Sequence, residues 1–361
     1  MRVAMILPSL NRSGPGIQVM NLVEALLAQQ VNVEIFVIKD CSGEKLNFEG
    51  LKPQKINPFS FIKTLKKFDI VHSHGFFPDL FSSLLTIPLR KTHSVSTMHN
   101  FISEDFGNRY GGLKGKVYSH LWSAVIKLIP NIIVFTDIAK SYYVKKTSGR
   151  IIVIPSSIPV VKVVERSKNA SLLPKDIYQK IINFKSQGYK VIGANSIITK
   201  VKGLDLIVQS LIYLDNSVAV FVGGGDEEKK LKDLSRKLNV YDRCLFVGFQ
   251  SDPIPFLPYY DVYAAPSISE SFGLSLFEAI ACRVPVVCNS LPVFKELLTD
   301  DSVYFMDNTI DSFVKSVNNA FNVDNEFLQN AYDLVHNNYD SRVIADEYKK
   351  LYSEIIGNVK I

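Results

Sequence analysis

Residues 262–298 read VYAAPSISESFGLSLFEAIACRVPVVCNSLPVFKELL, and this stretch decides the fold. A buried-type strand at 262–265 leads through Pro266 and a Ser-rich turn to Glu270. A short helix follows Ser271, Phe272 and Gly273, and a second apolar strand at 285–288 comes directly after it. Two carboxylates, Glu270 and Glu278, therefore flank one strand-to-helix turn, which is where parallel α/β sheets hold ligands. Gly273 marks the helix start, with Ser269 and Ser271 as candidate N-caps. The first helical turn has unpartnered N–H groups and partial positive charge, suited to a diphosphate. A glycine there lets an anion approach the backbone closely. Glu278 stands among Leu274, Leu276, Phe277, Ala279, Ile280 and Ala281. A carboxylate on such an apolar helix needs a partner, and a ribose diol is one. A solvent-facing Glu278 and an ordinary loop Glu270 are the competing reading of either residue taken singly.

Outward from this turn, short β-rich runs alternate with helical patterns. Strands are expected at 3–7, 33–38, 69–73, 94–98, 131–135 and 151–154, and again at 191–195, 218–223, 245–248, 261–265, 285–288 and 303–306. Helical patterns include 17–30, 113–128, 204–214, 226–238, 311–321 and 340–356. This alternation predicts parallel sheets covered on both faces, formed twice: an α/β chain of two Rossmann-like doubly wound domains facing across a cleft. Pro155-Ser156-Ser157-Ile158-Pro159 reads as a linker, and 160–174 as strandless and mixed. The expected domains are 1–160, 161–338 and a terminal helix, 339–361, that returns to the first.

The chain has 361 residues, 47% of them apolar, too many for one ordinary core. Cys41, Cys244, Cys282 and Cys288 show no metal spacing and read as buried thiols in a reducing, cytoplasmic setting. No apolar run is long enough to span a bilayer. Residues 1–165 hold 20 Lys and Arg against 11 Asp and Glu; the remainder hold 21 against 24, which returns the net +6. A basic first half suits an anionic partner: a phosphate-bearing acceptor, or the inner face of the cytoplasmic membrane. Tyr118, Trp122 and Ile126 recur at helical spacing beside Lys114, Lys116 and Lys127. That face reads either as core or as a membrane contact. Nucleic acid is not expected, because no basic stripe with interleaved aromatics appears.

With these residues in hand, the chain resembles the retaining glycosyltransferases of family 4, whose GT-B architecture has two Rossmann-like domains. Glu270 through Glu278 looks like the family's E-x7-E element, with AC-x-x-PVV after it. Lys202-Gly203-Leu204-Asp205 is similar to the KG-led helix, Phe221 through Asp226 to the glycine-rich turn, and Phe246-Val247-Gly248-Phe249 to the turn beside the base. Gly14-Pro15-Gly16 looks like the first glycine loop, and Ser96-Thr97-Met98-His99-Asn100 like the segment whose His faces the reacting sugar. Three positions depart from the pattern. Ile197 stands where the family has an Arg, Ser156-Ser157-Ile158-Pro159 replaces N-G-hydrophobic-D, and Arg283 replaces a Gly.

The resemblance implies a UDP- or GDP-sugar donor, no cofactor, no metal, and a glycan or lipid-linked glycan acceptor in bacterial surface polysaccharide synthesis. It implies that His99, Glu270 and Lys202 are catalytic. The donor would be held by Gly14, Gly16, Gly224, Phe249, Ser271, Phe272, Gly273, Leu274 and Glu278. Without the resemblance His99 reads as a core histidine at a strand end. The loop 101–115 is expected to shape the acceptor site. The competing readings are a catalytically degenerate partner subunit and a sugar-nucleotide epimerase of the same fold. A dehydrogenase is disfavoured, because 8–16 lacks a compact G-x-G-x-x-G.

Overall fold

The computed structural model describes residues 1–41, 43–86, 92–102 and 112–357. The chain divides into two compact units, Met1–Ser157 with Tyr339–Ile361, and Ile158–Asn338.

The first unit carries β1 (Arg2–Leu7), α1 (Gly14–Ala28), β2 (Asn32–Val37), β3 (Gln54–Lys55), α2 (Pro58–Leu65), β4 (Ile70–His74) and α3 (Phe76–Thr86). Then come β5 (His93–Thr97), α4 (Gly112–Ile126), β6 (Asn131–Val134), α5 (Asp137–Tyr143) and β7 (Arg150–Val153). Its seven strands lie in the order β3-β2-β1-β4-β5-β6-β7, all parallel. The central strands are apolar on both faces because helices cover both, so Val3, Met5, Ile70 and Val95 are fully buried. Each such side chain contributes about 1.5–3 kcal/mol through burial.

The second unit opens with α6 (Val160–Ser167), α7 (Lys175–Ser186), β8 (Lys190–Asn195), α8 (Asp205–Ser210), β9 (Ser217–Val222), α9 (Glu228–Lys237) and β10 (Cys244–Gly248). It continues through β11 (Val262–Ala265), α10 (Leu274–Ala281), β12 (Val286–Asn289), α11 (Pro292–Leu297), β13 (Tyr304–Met306), α12 (Ile310–Ala320) and α13 (Asn325–Tyr339). Its parallel order is β10-β9-β8-β11-β12-β13. In both units the order reverses beside the first strand, between β1 and β4 and between β8 and β11. These reversals open crevices at the carboxyl ends of the strands.

The last helix, α14 (Ser341–Gly357), belongs to the first unit. Ile344, Ala345, Tyr348, Leu351 and Tyr352 join the core of Val19, Leu22 and Leu26. Arg150 grips Glu354 with both terminal guanidinium nitrogens, at 2.7 and 3.2 Å.

Several expectations change. Residues 160–174 contain α6, where Val160, Val163 and Ser167 form the buried stripe. The helix expected at 204–214 is α8 followed by a 3-10 turn, Leu211–Tyr213. Cys244 and Cys288 are buried, but Cys41 and Cys282 are half-buried; all four are free thiols. Of the two readings of the α4 face, the core one holds for Trp122 and Ile126, 6% and 0% exposed, while Tyr118 is 39% exposed. Trp122 turns inward because its indole N–H donates to Asp79 Oδ2 at 2.7 Å. The outward stripe is instead Leu113, Val117 and Leu121, spaced four residues apart. Among the described residues no helix is long and apolar enough to cross a membrane.

Candidate active site

The crevice between β8 and β11 brings Glu270 and Lys202 together. Lys202 follows β8 and Glu270 follows β11, and the Lys202 ammonium meets Glu270 Oε1 at 2.5 Å. Ser267 Oγ donates to the same oxygen at 2.9 Å. The side chains are 27% and 14% exposed, so the pair is reachable yet largely desolvated. It borders a small concavity lined also by Ser196, Tyr263, Gly273 and Ser275.

Gly273 closes the start of α10. Its backbone is left-handed, at φ 88° and ψ 52°, and no side chain caps the helix. This corrects the expectation that Ser269 or Ser271 is the cap. The chain reverses at Gly273 itself, which puts both serines upstream of the first turn. Glycine is required twice over: by its φ, and because a Cβ would come within 2.8 Å of Phe294 Cε1. An uncapped first turn directs its amides at the concavity as an electropositive end. The Phe272 ring is fully buried and stacks on Phe277 at 4.3 Å, so only its backbone can face a ligand. Leu274, Ser275 and Ser271 are half-buried.

Glu278 is half-buried rather than enclosed. It lies one turn beyond Leu274 and Ser275 on the less packed stripe of α10. Its charge helps to raise the Tyr263 hydroxyl, after burial, and the Cys282 thiol, which burial pushes up to about 11.

Gly224 and Phe249 meet at the ends of β9 and β10. Gly223 N–H donates to Gly248 O at 2.9 Å, and a Cβ on Gly224 would lie 4.0 Å from Phe249 N. Ile198 N–H donates to Gly224 O at 3.0 Å, which brings the loop of Ile197 to the same place. Phe249 and Ile197 are 65% and 61% exposed. The third departure has a structural cost. Arg283 adopts φ 57° just past α10, a position that favours glycine. Its guanidinium stacks on Tyr332 at 4.4 Å and donates to Gln329 Oε1 at 2.8 Å.

Gly14, Gly16 and His99 belong to the first unit, the glycines at the start of α1 and His99 just past β5. Ser13 caps α1, Oγ accepting from Gly16 N–H at 3.3 Å, and a Cβ on Gly16 would crowd Leu46, at 2.7 Å. Gly14 is exposed. Gln18, one turn further along α1, reaches His99: Nδ1 lies 2.6 Å from Gln18 Oε1. His99 Nε2 lies 3.0 Å from His74 Nδ1. Burial drives the His99 pKa down to about 3, so the ring is neutral. Ser156 and Ser157 are buried, and Asn21 Nδ2 donates to Ser157 O at 3.4 Å. Most of the loop 101–115, from 103 to 111, lies outside the described residues.

Reading the sequence missed Tyr263 and Ser267, and offered Asn195, like Lys200, only as a stand-in for the arginine absent at Ile197. Tyr263 O–H donates to Asn195 O at 3.1 Å and sits 2.8 Å from Ser275 Oγ, tying β8 to the start of α10. Tyr260 O–H donates to Asn195 Oδ1 at 2.7 Å. A polar residue ending an apolar strand, as Asn195 does, was the available signal. Among the described residues no group of His, Cys, Asp and Glu could hold a metal ion.

Two family models match, one in each half: Glycosyltransferase Family 4 over residues 12–160 and Glycosyl transferases group 1 over 175–333. The O-antigen biosynthesis glycosyltransferase WclY of Escherichia coli is 26% identical, over 99% of this chain and 100% of its own. The UDP-Gal:alpha-D-GlcNAc-diphosphoundecaprenol alpha-1,3-galactosyltransferase of Escherichia coli is 25% identical, over 83% of this chain and 79% of its own. The crystal structure of Anabaena HepE with UDP and glucose superposes with a TM-score of 0.77 at 15% identity, over 97% of this chain and 99% of HepE. That likeness establishes the GT-B fold.

Proposed function

Because the chain belongs to the group 1 glycosyl transferases, we propose that it moves a sugar, with retention of anomeric configuration, from a UDP- or GDP-sugar to a glycan or lipid-linked glycan acceptor. The setting is assembly of a bacterial surface polysaccharide such as O-antigen, the role in the name of the full-length relative WclY. The observation that carries this reading is the Lys202–Glu270 pair beside the uncapped start of α10, at the switch point of a parallel sheet.

Glycosyl transfer must stabilise a leaving nucleoside diphosphate and a cationic sugar. Lys202 and the amides of Phe272, Gly273 and Leu274 meet the growing phosphate charge with preorganised positive ends. Glu270, relieved of Lys202, takes the sugar hydroxyls, and Ser271 lies beside it. Glu278 holds the ribose, and Gly224 and Phe249 flank the base. In the first unit, Gly14, Gly16 and His99 serve the reacting sugar, His99 as orienter or proton relay. No step requires a metal. The exposed stripe Leu113, Val117 and Leu121, with Lys114, Lys116 and Lys127 about it, is the face that rests on an anionic membrane.

The test is a panel of UDP- and GDP-sugars without added metal. Thermal shift and slow release of nucleoside diphosphate with one donor are expected. Silence from a folded sample with every donor overturns the reading in favour of a degenerate subunit. A product of inverted configuration overturns retention.

A further inference from the structure

Three histidines line the inner edge of the first unit's switch point: His72 and His74 on β4, and His99 beyond β5. They are 0%, 4% and 8% exposed. His72 is fully partnered on its own, with Nδ1 2.7 Å from Tyr352 Oη and Nε2 2.7 Å from Thr97 Oγ1. Its ring packs on that of His74, with centroids 4.2 Å apart. His74 and His99 form a separate chain that runs from Met5 Sδ through both rings to Gln18.

Counting hydrogens gives this chain a direction. Met5 Sδ has no hydrogen to give, and His74 Nε2 lies 3.5 Å from it. A bare Nε2 there would set two lone pairs against each other, so the His74 hydrogen sits on Nε2. Burial holds both rings neutral, with one hydrogen each. His74 Nδ1 is then bare and must accept from His99 Nε2–H across their 3.0 Å contact. That leaves His99 Nδ1 bare. The Gln18 amide satisfies it by turning its N–H group inward, a half-turn of a group whose two ends are nearly the same shape. With the amide oxygen facing His99 instead, every hydrogen in the chain reverses and the Met5 contact becomes repulsive.

We propose that His74 is a positioning residue that fixes His99 in the Nε2–H tautomer and so presents His99 Nδ1 as a hydrogen-bond acceptor. A sugar hydroxyl that displaces the Gln18 amide donates to that nitrogen. His99 thus enters the reaction able to receive a proton and without one to give from Nδ1. The chemical consequence rests on the reading that His99 serves the reacting sugar, but the tautomer does not.

The test is long-range 1H–15N correlation of the full chain labelled with 15N-histidine, near neutral pH and without substrate. His99 is assigned by its loss in His99→Asn. The wild type is expected to show His99 protonated on Nε2 and bare on Nδ1. In His74→Leu the Nε2–H loses its acceptor, and the hydrogen is expected to move to Nδ1, inverting the tautomer. Gln18→Glu offers only an acceptor and forces the same inversion from the other end, without altering the buried ring. A wild-type Nδ1–H tautomer overturns the assignment. Persistence of Nε2–H in His74→Leu, or in Gln18→Glu should the first variant not fold, overturns the positioning role. Loss of transfer in His74→Leu with the tautomer unchanged marks a purely structural residue, which overturns it too. A chain that shows the expected tautomers but responds to no sugar nucleotide refutes the proposed function and leaves this inference standing.

Discussion

Lys202 and Glu270 hold each other at 2.5 Å, so a nucleotide that recruits the Lys202 ammonium competes with their pairing. Exposures of 27% and 14% place the pair between two regimes. Exposed pairs are worth about 0–1 kcal/mol, and breaking a buried one costs about 3–5 kcal/mol. A value of about 1–2 kcal/mol follows, equivalent to roughly 5–30-fold in an affinity. Glu270→Gln keeps the size of the side chain and the Ser267 hydrogen bond but releases the ammonium. UDP, or GDP if UDP is silent, should then bind about 5–30-fold more tightly, while sugar transfer falls by about 100-fold or more. Lys202→Met should weaken the same nucleotide by at least a similar factor and also slow transfer. Isothermal titration with the free nucleoside diphosphate separates the two effects. The reasoning is refuted if Glu270→Gln weakens the nucleotide as Lys202→Met does.

Acid should destabilise the first unit. His72 and His99 have pKa values near 3 in the fold, and His74 lies well below its ordinary value, all through burial. The unfolded chain binds these protons below about pH 6.5, so stability is lost as pH falls below that value, by about 1.4 kcal/mol per unit per ring. Asp79 opposes them. Burial raises it to about 6 against hydrogen bonds from Ser96, Ser73 and Trp122. Its contribution is full below its ordinary 3.8 and is lost as pH rises through about 6. Urea midpoints followed by Trp122, the single tryptophan, should therefore fall between pH 6 and 4, and a flat profile contradicts the neutral-histidine account. Gly273→Ala combines a left-handed backbone with contact against Phe294, and should cost the second unit about 2–3 kcal/mol in urea unfolding; an unchanged midpoint refutes the cap assignment. Transfer should survive a chelator, and loss that magnesium restores would contradict a site that stabilises phosphate with Lys202 and amides. Replacing Leu113, Val117 and Leu121 together by Ser should release the chain from anionic vesicles; undiminished binding removes α4 from the membrane contact.

The paired sheets were legible because their strands, such as Ser217–Val222, are continuous apolar runs with β-branched residues, and helical spacing lies between them. Gln54–Lys55 was not, since a two-residue polar edge strand has no periodicity to read. The α4 face stayed open between core and membrane because both sides of that helix carry large apolar residues. Trp122 turns inward through its hydrogen bond to Asp79, 43 residues away, and its place in the cluster of Met98, Ile102 and Ile132, neither of which helical spacing shows. The carboxylates around Gly273 were visible from spacing. The ion pair was not, because Lys202 and Glu270 stand 68 residues apart on loops that meet only when β8 and β11 align. His72 and His74 were overlooked although a signal existed: residues two apart on a strand share a face.

The most direct test of the central claim is a crystal structure of the chain with the nucleoside diphosphate of the donor found in the sugar-nucleotide panel. The account predicts the diphosphate against the amides of Gly273 and Leu274, with Lys202 Nζ turned from Glu270 toward a phosphate oxygen and Glu278 within hydrogen-bond reach of the ribose. A nucleotide bound elsewhere, with the Lys202–Glu270 pair intact, would contradict it.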